Sequence, residues 1–192
     1  MPIKIITPPA IEPLTLDEAK AQCRVDIDTD NALLAMLISV ARDTCERIAW
    51  RAFLTQTIEL WLDAWPASNS IVLPRPPLQS VTKIEYYDID DIKATVSSAI
   101  YAVDTIAEPG KVWLKYNQAW PTTSLREHNA ICVTYVAGWT NPADVPQSAR
   151  QAMLMLVGHW YENRESVLVG AISKSLEFAV STLLGMNRVN QF

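Results

Sequence analysis

Cys45-Glu46-Arg47-Ile48-Ala49-Trp50-Arg51-Ala52-Phe53-Leu54-Thr55-Gln56-Thr57-Ile58-Glu59-Leu60-Trp61-Leu62-Asp63 is where the chain changes its period. Before it, Leu33, Leu34, Leu37, Ile38, Ala41, Cys45 and Ile48 recur at helical spacing, which predicts a helix over residues 32–49 with one buried face. From Thr55 the pattern alternates. Ile58, Leu60 and Leu62 fall on one face and Glu59, Trp61 and Asp63 on the other, as in a half-buried strand.

Toward the C-terminus, further short strands are expected at residues 70–73, 81–87, 99–103, 111–116 and 130–136. Pro74-Arg75-Pro76-Pro77, Asp88-Ile89-Asp90-Asp91, Glu108-Pro109-Gly110 and Trp120-Pro121 separate them as loops. Helix returns at Pro146, a residue suited to a first helical turn, and Ala149, Met153, Leu156, Val157 and Trp160 carry its stripe to Glu165. A last amphipathic piece follows over residues 176–184.

Toward the N-terminus, Thr15 with Glu18 three positions on forms a capping box, and Leu14 can staple the start of a helix over residues 16–24. Asp26, Asp28 and Asp30 break that helix and supply negative charge to the N-terminus of the next one. Ahead lies Pro8-Pro9-Ala10-Ile11-Glu12-Pro13. Proline fixes φ and removes donors, so this arm is expected to need a partner surface or to stay mobile. The fold class that results is α+β. It has a mainly helical core, of two N-terminal helices and one long and one short C-terminal helix, with an inserted small antiparallel β subdomain. The boundaries are residues 1–54 for the arm and helix pair, 55–140 for the insertion and 141–192 for the C-terminal helix and tail.

With 192 residues the chain suits one core with an insertion rather than two generous domains. Hydrophobic residues make up 49% and charged residues 19%, an ordinary globular balance. A net charge of −5 argues against a basic face spread over nucleic acid, where Lys and Arg must neutralise phosphates. Cys23, Cys45 and Cys132 are scattered without a CxxC pair, so neither a disulfide framework nor a zinc site is indicated. There is no signal-like leader and no run of roughly 18 apolar residues, so secretion and membrane spanning are not expected.

The constellations with chemical potential are thin. Asp26, Asp28 and Asp30 open like a calcium loop, but Asn31 stands where glycine is needed and Leu37 where a bidentate acid is needed. Asp88, Asp90 and Asp91 read as a solvated hairpin tip. His128 and His159 form no metal pair and face no nucleophile on a defined turn, and there is no GxGxxG or Walker sequence. No catalytic residue, cofactor or metal is expected. His159-Trp160-Tyr161-Glu162-Asn163-Arg164-Glu165 is the densest cluster of polar and aromatic side chains, and it fits either a solvated helix end or a contact with another subunit.

Several short stretches, taken in order, resemble the tailed-bacteriophage head-tail connector (adaptor) family. They are residues 9–20, Cys23-Arg24-Val25-Asp26, Asn31-Ala32-Leu33-Leu34, Leu54-Thr55-Gln56-Thr57, Leu73-Pro74, Pro77-Leu78-Gln79-Ser80-Val81 and residues 161–165. The likeness covers nearly all of the chain. Leu183-Leu184-Gly185-Met186-Asn187-Arg188 departs from it, since an aromatic is expected before the final arginine.

The resemblance implies a structural protein that forms a ring, commonly of twelve identical subunits, beneath the portal protein. There it would extend the DNA channel and offer a platform to a tail-completion or stopper protein. DNA would pass through the lumen without specific binding, as an acidic wall repels phosphates. On this reading a detachable C-terminal segment docks to the portal through Leu176, Phe178, Val180, Leu183, Leu184 and Arg188. Pro9, Ile11, Trp160, Tyr161 and Arg164 contact neighbouring subunits. The competing readings are a small enzyme with an acidic site near Asp63 or Asp88, and a factor that binds DNA directly.

Overall fold

The structure, a computed structural model, describes residues 2–163 and 174–189. In chain order its elements are β1 (Ile3–Thr7), α1 (Leu16–Cys23), α2 (Asn31–Ala49), β2 (Gln56–Leu62), β3 (Ser70–Val72), β4 (Leu78–Tyr87) and β5 (Lys93–Thr95). β6 (Tyr101–Asp104), β7 (Lys111–Leu114), β8 (Ile131–Ala137), a 3-10 turn (Pro142–Asp144), α3 (Gln147–Glu162) and α4 (Lys174–Gly185) follow. The fold is α+β, with helices on either side of the strand region in sequence. The chain separates into two compact units, one of Met1–Pro9 with Thr55–Trp139 and one of Ala10–Leu54 with Thr140–Phe192.

The β unit holds a five-stranded sheet in the order β1-β2-β8-β4-β5 and a three-stranded sheet in the order β3-β7-β6, all pairs antiparallel. The alternation in β2 does what its sequence requires: Ile58 and Leu60 are fully buried while Glu59 and Trp61 stay partly exposed. β8 is the central strand, buried along nearly its whole length, and its Tyr135 hydroxyl donates to the Pro74 carbonyl at 2.8 Å. Burial pushes that phenol well above its ordinary pKa. Gly110 meets Leu78 so closely that a Cβ would lie 2.5 Å from the leucine Cβ, so only glycine fits.

Two strands have no counterpart among those expected. β5 is three residues long, too short to show a period. β1 precedes the prolines of the arm, and Lys4, Ile5 and Ile6 retain the N–H groups a ladder needs, so residues 3–7 pair with β2. Residues 1–9, expected with the helical segments, therefore lie in the β unit.

In the helical unit α3 packs on α1, α2 and α4, and α4 also touches α2. Leu34, Ile38, Ala41, Cys45 and Ala49 of α2 and Ala149, Ala152, Met153, Leu156 and Val157 of α3 form the core. Small residues on both stripes allow the close approach. α1 begins with the full capping box: the Thr15 side chain accepts from the Glu18 N–H, and Glu18 accepts from the Thr15 N–H at 2.8 Å. It ends on Arg24 in the left-handed conformation, whose N–H caps the last turn.

Candidate functional site

The arm does not wait for another chain. Glu12 accepts a hydrogen bond from Arg42 Nε of α2 at 2.8 Å, and Arg42 Nη1 donates to Glu46 at 3.1 Å. The other Glu46 oxygen takes the Phe53 N–H at 2.7 Å, closing a buried chain of charge and hydrogen bond. Burial opposes the Arg42 charge, but the bond to Glu12 and the field of Glu46 outweigh it and raise the pKa of the guanidinium. Arg150 of α3 supplies a second clasp, donating to the Pro13 carbonyl at 2.6 Å, to the Pro142 carbonyl at 3.1 Å and to Glu18. The expectation that the arm lacks any surface of its own is thus corrected. Proline removes backbone donors, but the Glu12 carboxylate and the Pro13 carbonyl need none. Ile11 still points outward at 52% exposure, and Pro9 is half-buried.

α4 is divided between two faces. Val180 and Leu184 are buried, at 3% and 0% exposure, while Leu176 and Leu183 are half-buried. Phe178 is 73% exposed, and Arg188 is exposed beyond the helix. The six residues expected to dock together therefore do not share one face, because the helical period turns Val180 and Leu184 toward α2 and α3. Met186, in the turn after α4, is 77% exposed and was not foreseen. Ser181 and Thr182 both donate to the Phe178 carbonyl, at 3.0 and 2.8 Å, so their hydroxyls add no unmet polarity to the outer face.

The chain after α4 is also tied down. Val189 N–H donates to the Ala49 carbonyl at 3.1 Å, Arg51 Nε donates to the Asn187 carbonyl, and Asn187 Nδ2 donates to Ser148 at 2.6 Å. A detachable tail would not be fastened at both the helix and the residues following it.

Trp160 is half-buried on α3, and the Tyr161 hydroxyl donates to the Asp30 carboxylate. Asp30 was expected to cap α2, but it makes no side-chain cap bond. Asp28 receives Lys20 at 2.6 Å and Asn31 at 3.2 Å, which lower its pKa, so the aspartates stitch elements together. Arg164 lies outside the described residues.

Of the hairpin acids, Asp88 accepts the N–H groups of Asp90 and Ile92, both at 2.9 Å, and Asp91 pairs with Arg126 at 3.0 Å. Burial, with help from Glu46, pushes the Cys45 thiol up to about 12, and burial with Glu59 pushes Cys132 up to about 11. Both thiols stay protonated near neutrality and are poor nucleophiles. Among the described residues, no group of three or more His, Cys, Asp or Glu could hold a metal ion, and no helix is long and apolar enough to cross a membrane.

Residues 12–177 match the head completion protein family, a span that takes in the arm's clasp, both units and the start of α4. The chain belongs to this family. The curated proteins give no match. Solved structures do: a chain in the neck of an empty gene transfer agent particle, computed with C6 symmetry, superposes with a TM-score of 0.80 at 20% identity, covering 100% of this chain and 97% of that one. A chain in the virion of a native gene transfer agent particle gives 0.79 at 18% identity with the same coverage. One in the neck of the native particle, computed with C12 symmetry, gives 0.74 at 19%, again covering 100% and 97%. Identities this low establish a shared fold over the whole chain.

Proposed function

We propose that this chain is a structural head-tail connector of a tailed phage or phage-like particle, present in the virion at the head-tail junction. Identical subunits, on this reading twelve, form a ring beneath the portal that extends the DNA channel and carries a tail-completion or stopper protein below. The observation that carries the reading is the family match over residues 12–177. The similarity to chains in necks computed with C6 and C12 symmetry supports the ring. In this reading the chain is a building element rather than a catalyst, and DNA slides past its acidic subunits without specific binding.

The outer face of α4 is the surface we assign to the portal, with Phe178 as the apolar anchor, Leu176 and Leu183 at its flanks and Arg188 reaching a carboxylate or carbonyl. Ile11, Pro9, Trp160, Tyr161 and Arg164 are assigned to contacts between subunits. Deleting α4 would be a poor test, because it uncovers the core beneath Val180 and Leu184. Phe178→Glu leaves that core untouched. The variant should fold with an unchanged Tm yet fail to bind purified portal rings or join DNA-filled heads in a complementation assay; normal joining would refute the assignment of this face.

A further inference from the structure

The five-stranded sheet has two open edges, and they match. Trp61 N–H donates to the Pro2 carbonyl, and Lys4 lies opposite Glu59, so Pro2 and Lys4 turn their backbone groups toward β2. The N–H and C=O of Ile3 and Ile5 therefore point off the outer side of β1. On the far edge, Val96 N–H donates to Ile84 and Asp88 N–H to Ile92, so the backbone groups of Lys93 and Thr95 point off the outer side of β5. None of these four outward residues makes a backbone hydrogen bond on that side among the described residues.

The side chains match as well. Ile5 and Ile6 are 42% and 43% exposed along β1, and Ile89 and Ile92 are 71% and 63% exposed beside β5. An open edge with exposed apolar residues is a template for strand addition.

We propose that β1 of one copy pairs with β5 of the next, Ile5 beside Thr95, so that the sheet continues from subunit to subunit. Successive antiparallel pairs leave β1 and β5 running the same way, so the added pair is parallel. The two edges differ and sit at opposite ends of one sheet, which makes the contact heterologous, the kind that generates a ring when the rotation closes. This inference rests on the ring reading above and names its seam.

Four strand spacings separate β1 from β5, about 19 Å, so thiols at Ile5 and Thr95 of one subunit are too far apart for a short bismaleimide to join. The test uses the full chain with Cys23→Ser, Ile5→Cys and Thr95→Cys, concentrated stepwise and treated with that reagent, with native mass spectrometry in parallel. A ladder of covalent oligomers from the protein with both introduced cysteines, absent from either protein with one of them, is the expected result; Cys45 and Cys132 remain in all three but are buried. Rings by mass without a ladder, or dimers from Ile5→Cys alone, would overturn the seam and leave the ring standing. A chain that stays monomeric at every concentration and gives no ladder would overturn both.

Discussion

The segment leading into α1 is held by charge, and the C-terminal helix α4 by apolar burial. Glu12 and Pro13 are gripped by two arginines from α2 and α3, whereas Val180 and Leu184 are simply removed from water. Both segments keep an apolar residue outward, Ile11 in one and Phe178 in the other. The difference teaches how a subunit can commit a segment to itself and still offer it to a neighbour. A proline-rich stretch has few backbone donors to give, so side-chain carboxylates and carbonyls fasten it. A helix satisfies its own backbone and needs only one of its faces.

Removing the centre of the charged clasp should show the largest effect. Arg42→Ala leaves Glu46, at 1% exposure, buried without its guanidinium, and should destabilise the protein by about 3–5 kcal/mol in urea unfolding. On the apolar side, Leu184→Ala should cost about 2–5 kcal/mol, with no dependence on salt. If both variants showed the same salt response, the contrast between the two modes of attachment would fail.

Loosening the arm alone should be milder. Glu12→Ala leaves Arg42 paired with Glu46, so the loss is expected near 1 kcal/mol. Residues 8–13 should then become more sensitive to limited proteolysis while α4 does not.

A smaller effect is expected from pH. Glu18 is held below its ordinary pKa, chiefly by the Thr15 N–H and also by the Thr15 hydroxyl and Arg150, against the opposing pull of burial. A depressed carboxylate contributes stability above the ordinary carboxylate pKa and loses it as the pH falls through the folded value. The Tm gap between the natural chain and Glu18→Gln should therefore be widest near neutral pH and close in acid. A gap that widened in acid would contradict the assignment of Glu18 as a charged clasp.

Much of this fold is legible before any coordinates. The capping box at Thr15 and Glu18, the stripe of α2 and the alternation of β2 are local patterns, and each is realised within a residue or two. What escaped is either too short to show a period, as β5 is, or depends on distant residues: β1 pairs with β2 far along the chain, and the Asp30 carboxylate accepts from Tyr161. The candidate site was half legible: the amphipathic period located α4, but which of its residues turn outward depended on where α2 and α3 lie.

By itself, the sequence determined the order of helices and strands and the family, because periodicity, caps and short matched stretches are properties of neighbouring residues. Only the tertiary structure decided what the arm and α4 are attached to. Arg42, Arg150 and Asp30 are charged residues at ordinary surface spacing, and the partners Glu12, Pro13 and Tyr161 lie 30 to 137 residues away from them along the chain. Folding alone brings such groups within hydrogen-bond reach, and it left the faces bearing Ile11, Phe178 and the two sheet edges turned outward.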